Sequence, residues 1–342
     1  MITNDLARAT TKQSPLTEPD LSVGFKGGQL EDWLNEGGEI EDDNLLIHGD
    51  NLVALDMLYE KFRERVKCIF IDPPYNTGLG FSQYKDDVDH AGWLKFMEPR
   101  LSAMWELLAP EGAIWIAIDD HEGHYLKVLC DRLFGRSSFI SSIIWQKRAV
   151  PKITATNVSS SHDYILLYAK DPSLLNLNFP SKTKEIEHFR NTYPSSPLSD
   201  WAHWESAEKT PIRSLWLSSE VGDNEEAKSE SREIFPGDPF ATPKPERLLA
   251  RIIEYTTATG DIVLDAFAGS GTTAAVAQKL NRHWISIEAG EHAITHARFR
   301  ITQLLEGTDA SAPTLDLNQM SQKAFKTLTV DAPTKNNEAQ KQ

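Results

Sequence analysis

The sequence predicts an α/β domain of the doubly wound class, a mostly parallel sheet with helices on both faces. Three observations carry that prediction. Short apolar runs such as LLIH, VKCIFI, GAIWIAI, IVLD and HWISI recur along the chain. Segments with helical apolar spacing lie between them, and glycines, prolines and acids gather where the runs end. Strands apolar on both sides belong to parallel sheets covered on two faces.

Composition sets outer limits. The 342 residues carry a formal charge of −15, with 40% hydrophobic and 9% aromatic residues, which excludes a mainly disordered chain. No run reaches the roughly 18 apolar residues of a membrane span, and the N-terminal MITNDLARATTKQSPLTEP has no apolar signal region. Cys68 and Cys130 sit inside apolar runs and read as packed small hydrophobes, consistent with a reducing cytoplasm. The acidic balance argues against coating nucleic acid by bulk electrostatics, while a local basic stripe stays possible.

Element by element, LLIHGD at 45–50 reads as a strand, and Leu52, Leu55, Leu58, Tyr59 and Phe62 then form one helical stripe. VKCIFID at 66–72 is a β-rich run stopped by Pro73 and Pro74. Trp93, Phe96, Met97, Leu101, Met104, Trp105 and Leu108 mark a helix, expected to kink or restart at Pro99. GAIWIAID at 112–119 is a strand followed by a helix through about Leu133; SFISSIIWQ and DYILLYAK add two strands. RLLARIIEYTT, DIVLDAF, TTAAVAQKL, HWISIE and 291–305 then alternate helix and strand. Residues 1–25 and 306–342 read as loose tails, 26–169 and 240–305 as two halves of one domain. Between the halves, 170–239 carry Pro180, Pro194, Pro197, Pro211 and Pro236 and the tryptophans Trp201, Trp204 and Trp216, and read as an insertion outside the sheet core.

Two motifs carry chemistry. In DIVLDAFAGSGTTAAVAQKLNRHWISIE, Gly269-Ser270-Gly271-Thr272-Thr273-Ala274 follows a strand and opens a helix. Glycines there let backbone amides approach a ligand, and the helix N-terminus favours negative groups. Glu288 ends the next strand, where a carboxylate can take two ribose hydroxyls. Alone, this motif permits NAD, FAD or S-adenosylmethionine; the missing Lys-Ser/Thr argues against a P-loop. A structural alternative is a glycine-rich turn with a surface glutamate. The second motif is Asp72-Pro73-Pro74-Tyr75-Asn76, just past a strand end. Its prolines hold an acid and an aromatic at the sheet's carboxyl edge, where open α/β sheets bind ligands. Asp72 and the Pro73 carbonyl suit the two N–H groups of an exocyclic amine, with Tyr75 stacking on its ring. A capped turn with Tyr75 packed inward is the structural alternative.

DPPY with FAGSGTT resembles the amino-methyltransferases that modify adenine N6 or cytosine N4 in DNA, and DPPY preceding FAGSGTT matches their permuted β group. DPPYNTG, WLKFMEPRL, GAIWIAIDD, HDYILLYAK, VGDNEEAK and TPKPERLLARII further resemble the modification subunit of type III restriction-modification systems. The resemblance implies a Rossmann-like fold, S-adenosyl-L-methionine as cofactor, DNA as substrate, often a homodimer, and commonly a restriction-subunit or separate specificity partner. It implies catalytic roles for Asp72, Pro73, Pro74 and Tyr75. Asp265, Phe267, Ala268, Gly269, Ser270, Gly271 and Thr272 match the loop around the cofactor's methionine part, and Glu288 the ribose-binding acid. Asp50 matches an acid near the cofactor's adenine, with a helix N-cap as its alternative. Lys244 matches a lysine near the cofactor carboxylate. Asp119 and Asp120 match a family motif or cap the next helix. No metal is implied.

From Ser141 to Asn191, seven cations face four anions, so Lys147, Arg148 and Lys152 are the expected phosphate contacts. The insertion at 170–239 is short for the family's target-recognition region, which leaves a stand-alone methyltransferase open. Asp72, where cytosine-specific relatives more often have Ser, favours adenine. The rivals are cytosine N4 methylation, an NAD-dependent dehydrogenase that would give DPPYN no task, and a non-catalytic DNA-binding subunit keeping the fold.

Overall fold

The computed structural model describes residues 28–78, 88–151, 158–178, 212–308 and 323–330. The expected N-terminal tail, residues 179–211 of the insertion and Lys152 lie outside the described residues. Strands are β1 (Gly28–Gln29), β2 (Asn44–His48), β3 (Val66–Ile71), β4 (Leu108–Ile118), β5 (Phe139–Trp145), β6 (Asp163–Ala169), β7 (Leu215–Trp216), β8 (Ile262–Asp265), β9 (His283–Glu288) and β10 (Phe325–Thr329). Helices are α1 (Leu30–Asn35), α2 (Asn51–Phe62), α3 (His90–Leu107), α4 (Gly123–Phe134), α5 (Ser218–Val221), α6 (Asn224–Ile234), α7 (Glu246–Thr256), α8 (Thr272–Lys279) and α9 (Phe299–Glu306), the last entered through a π turn at Ala293–Arg298.

The strands form one sheet in the order β1-β10-β2-β9-β8-β3-β4-β6-β5-β7. β6 runs antiparallel to both β4 and β5, and the other pairings are parallel. This is the doubly wound, mostly parallel architecture the apolar runs predict. Successive side chains of β3 and β4 divide between two cores. Ile69, Ile71, Ile114, Ile116 and Ile118 pack with Leu55, Leu58, Met97, Leu101 and Leu126 of α2, α3 and α4. Cys68, Phe70, Trp115 and Ala117 pack with Leu248, Ile252, Ala275 and Ile301 of α7, α8 and α9. Each fully buried aliphatic side chain contributes roughly 1.5–3 kcal/mol. The buried indoles keep partners: Trp115 Nε1 donates to Thr256 Oγ1 at 2.9 Å, and Trp284 Nε1 to Gln278 Oε1 at 2.9 Å. Cys68 and Cys130 are free and buried, and burial pushes the Cys68 thiol up to about 12.

Three expectations change. Helix α3 runs without interruption through Pro99, whose ring removes one helical hydrogen bond. The buried stripe of Trp93, Met97, Leu101 and Met104 holds it together across that position. Within the expected loose C-terminal tail, Phe325–Thr329 form β10, inserted between β1 and β2 with Phe325 and Leu328 buried. Inside the insertion, Leu215–Trp216 extend the far edge of the sheet, and Trp216 is buried against the α7 layer.

The winding places the site. From β3 the chain passes through α3 to the neighbouring β4; from β8 it passes through α8, on the opposite face, to the neighbouring β9. The order therefore diverges between β8 and β3, and a crevice opens there at the carboxyl edge. Asp50, Glu288, Asp265, Asp72 and Asp119 end or follow β2, β9, β8, β3 and β4, so they stand in that order along the edge.

Candidate active site

Asp72 follows the last residue of β3, with its side chain 22% exposed. One oxygen, Oδ2, forms an ion pair with the Lys244 ammonium; the other, Oδ1, is buried and has no hydrogen-bond partner among the described residues. Three residues on, the Tyr75 ring is half-buried, with its hydroxyl buried beside the Asp72 carboxylate and without another partner among the described residues. Burial, then the neighbouring Asp72 charge, pushes the Tyr75 phenol well above its ordinary value, so it stays neutral. The Lys244 ammonium lies 5.3 Å from the Tyr75 ring centroid. Buried polar atoms ordinarily have partners, so an orphan acceptor beside an orphan hydroxyl marks a place shaped for something polar. Lys244, which the resemblance assigns to the cofactor carboxylate, stands here on Asp72.

On the other side of the crevice, Gly269 and Gly271 adopt φ of +51° and +77°. A Cβ on Gly271 would stand 2.9 Å from Ala297 Cα, and one on Gly269 would stand 3.1 Å from the Phe240 ring. Gly271 therefore requires glycine, and Gly269 favours it. Glu288 ties this turn to β9: its Oε2 accepts from Gly269 N at 2.8 Å and its Oε1 from Gly290 N at 2.8 Å. Asp265 closes the turn from below, accepting from Phe267 N at 2.9 Å and from the Thr273 hydroxyl. Burial raises its carboxyl to about 7 despite those two bonds. Thr272 opens α8 and receives Arg300 Nη1 at 2.8 Å, while Arg300 and Lys279 share the buried Glu246 carboxylate at 2.8 and 2.7 Å. Ala268 and Ser270 are buried in the turn, and Phe267 stacks edge-on against Phe96.

Asp50 caps α2, accepting from Leu52 N at 2.9 Å, and also takes Arg100 Nη2 at 3.0 Å. Asn51 Nδ2 reaches Ala266 O at 2.8 Å, which joins the ends of β2 and β8 directly, and Arg100 Nε of α3 braces Asn51 by donating to its Oδ1 at 2.6 Å. Asp119 turns to His121, and Asp120 accepts from the Tyr164 hydroxyl at 2.8 Å. Lys147 is not displayed toward a phosphate: its ammonium is held by the buried Asp163, leaving the side chain 14% exposed. Arg148 is half-buried just past the end of β5. Phe240, Arg100 and Glu122 take part in the crevice without being singled out in the sequence. Only Glu122, two residues past the acids of IDDHE, had a local signal.

A family model described as DNA methylase, for N6 and N4 amino-methyltransferases, matches residues 66–299, which hold both the DPPY strand end and the glycine turn. The chain belongs to this DNA methylase family. It is 27% identical to the StyLTI Mod subunit of a type III restriction-modification enzyme from Salmonella typhimurium, over 70% of this chain and 50% of that protein. It is 29% identical to the type II methyltransferase M.EcaI from Enterobacter cloacae, over 72% of this chain and 66% of that protein. The chain spans about half the length of these type III relatives. Its fold is shared with a Thermus thermophilus protein assigned as a DNA modification methylase and solved with S-adenosyl-L-methionine. That likeness has a TM-score of 0.50 and 20% identity, covering 84% of this chain and all of the other. Family membership leaves the dehydrogenase reading without support. No helix among the described residues is long and apolar enough to cross a membrane.

Proposed function

We propose that this chain transfers a methyl group from S-adenosyl-L-methionine to N6 of adenine in DNA, with the target base turned out of the duplex. The observation that carries the reading is the pair of buried atoms, Asp72 Oδ1 and Tyr75 Oη, which have no partner outside that pair among the described residues, across the crevice from the glycine turn.

The residues fit the cofactor. The glycine turn leads into the N-terminus of α8 at Thr272, which favours negative groups, and the Glu288 carboxylate at the end of β9 suits ribose hydroxyls. Asp50, Asp265, Phe267 and Ala268 complete that wall. When bound, S-adenosyl-L-methionine supplies an electrophilic sulfonium methyl. The remaining work belongs to the chain. An adenine amino group is a weak nucleophile because its lone pair is delocalised into the ring. Asp72 Oδ1 and the Pro73 carbonyl accept its two N–H bonds, which draws the nitrogen toward tetrahedral geometry and localises the pair. Lys244 holds Oδ2, so Oδ1 is the oxygen left for the substrate. The rigid Pro73-Pro74 backbone fixes Asp72 relative to Tyr75, whose ring offsets part of the unstacking cost of the turned-out base. Catalysis here is positioning and electrostatics.

The same acceptors fit the amino group of cytosine, and the methylated nucleoside separates the two bases. DNA contact through Arg148, the segments 26–169 and 240–305 as catalytic and cofactor halves, 170–239 as target-recognition segment, a homodimer and a restriction-subunit partner belong to this proposal. The similarity to type III Mod subunits supports it. The test is transfer of labelled methyl from S-adenosyl-L-methionine to unmethylated duplex DNA by the purified chain. Asp72→Ala is expected to lower turnover on the order of a hundredfold, and near-wild-type turnover in that variant removes its assigned role.

A further inference from the structure

Glu122 occupies the N-cap position of α4 and is 3% exposed, yet its side chain makes no capping bond. Both oxygens reach instead to other elements. Oε1 accepts from Asn76 Nδ2 at 2.8 Å, and Oε2 lies 2.6 Å from His90 Nδ1 in the first turn of α3. A buried carboxylate is costly to desolvate, so its retention here needs these two partners. Asn76, the last residue of DPPYN, stands in the left-handed region at φ +59°. Its Oδ1 accepts from Val88 N at 3.1 Å, so one amide side chain ties the motif to the approach to α3 and to the start of α4. Trp93 Nε1 adds a further brace by donating to Pro74 O at 2.7 Å. None of these contacts touches the glycine turn.

We propose that Glu122 is a positioning residue for the target base. Acting through Asn76, it sets where Asp72 and Tyr75 stand and so governs turnover on DNA, leaving cofactor affinity to the other side of the crevice. The role rests on reading Asp72–Tyr75 as the base pocket. Glutamine at this position keeps an acceptor for Asn76 and offers an N–H to His90 Nδ1, whereas alanine removes the group that faces both.

The experiment uses the full chain with unmethylated phage DNA as substrate and S-adenosyl-L-homocysteine as the binding probe. Glu122→Ala and Asn76→Ala are each expected to lower kcat roughly ten- to hundredfold. Their calorimetric affinities for S-adenosyl-L-homocysteine should stay within about twofold of wild type, and Glu122→Gln should recover most of the turnover. The double variant should lose no more than Glu122→Ala alone, because both substitutions cut one connection. Fully additive losses, unchanged turnover in Asn76→Ala, or probe binding that falls in step with turnover would overturn the role. A wild-type chain that binds the probe and methylates no DNA would remove the base-pocket reading and this role with it. Wild-type turnover unaffected by Glu122→Ala would remove this role alone.

Discussion

At Asp163 a carboxylate whose side chain is 4% exposed faces the Lys147 ammonium, and burial still raises the acid above its ordinary range. Removing one member of a buried pair leaves the other charge uncompensated, which costs more than the pair itself contributes. Lys147→Met is therefore expected to lower unfolding free energy by roughly 3 kcal/mol. Arg148→Glu should change it by no more than about 0.5 kcal/mol while weakening DNA binding across all sequences. Urea denaturation and a salt-dependent binding titration read the two effects. The sequence makes these neighbours look alike, two cations in one basic stretch. Their difference arises from strand β6, which brings Asp163 opposite Trp145 at the end of β5, a pairing invisible to local charge counting.

Among elements, the β8–α8 turn is the most constrained. Gly271 combines φ +77° with a Cβ position 2.9 Å from Ala297 Cα, so Gly271→Ala must displace either the turn or the π turn behind it. The expected result is at least a tenfold loss of S-adenosyl-L-homocysteine affinity by calorimetry, on the order of 1.4 kcal/mol. The central strands were legible because continuous apolar runs mean burial on both faces, as Ile69 and Phe70 confirm by facing opposite cores. β10 was not legible: KAFKTLTV is short, flanked by polar residues, and buried only because β1 and β2 lie on either side. The glycine turn and DPPY were readable because each is a local backbone device. The Lys244–Asp72 and Glu122–Asn76 contacts were not, since they join residues 172 and 46 positions apart.

For the whole molecule, an acidic chain of net charge −15, burial raises some carboxyls well above their ordinary range. Burial, reinforced by Glu246 and opposed by Arg300, raises Glu230 from 4.5 to about 7. Its folded state binds the proton more tightly than the unfolded chain, so this contribution to stability is complete below pH 4.5 and is lost as pH rises through about 7. Glu230→Gln keeps an acceptor for the Glu246 amide and carries no charge. It should match wild type near pH 4.5 and exceed it at pH 8 by roughly 2 kcal/mol; urea midpoints at the two pH values read the difference. Chemistry at the Asp72 strand end of this acidic chain is read directly in total DNA. The decisive measurement is mass spectrometry of nucleosides from a host lacking its own DNA methyltransferases, expressing this chain or its Asp72→Ala variant. N6-methyladenine is expected with the wild-type chain and its loss with the variant. N4-methylcytosine instead, or equal N6-methyladenine from both chains, would contradict it.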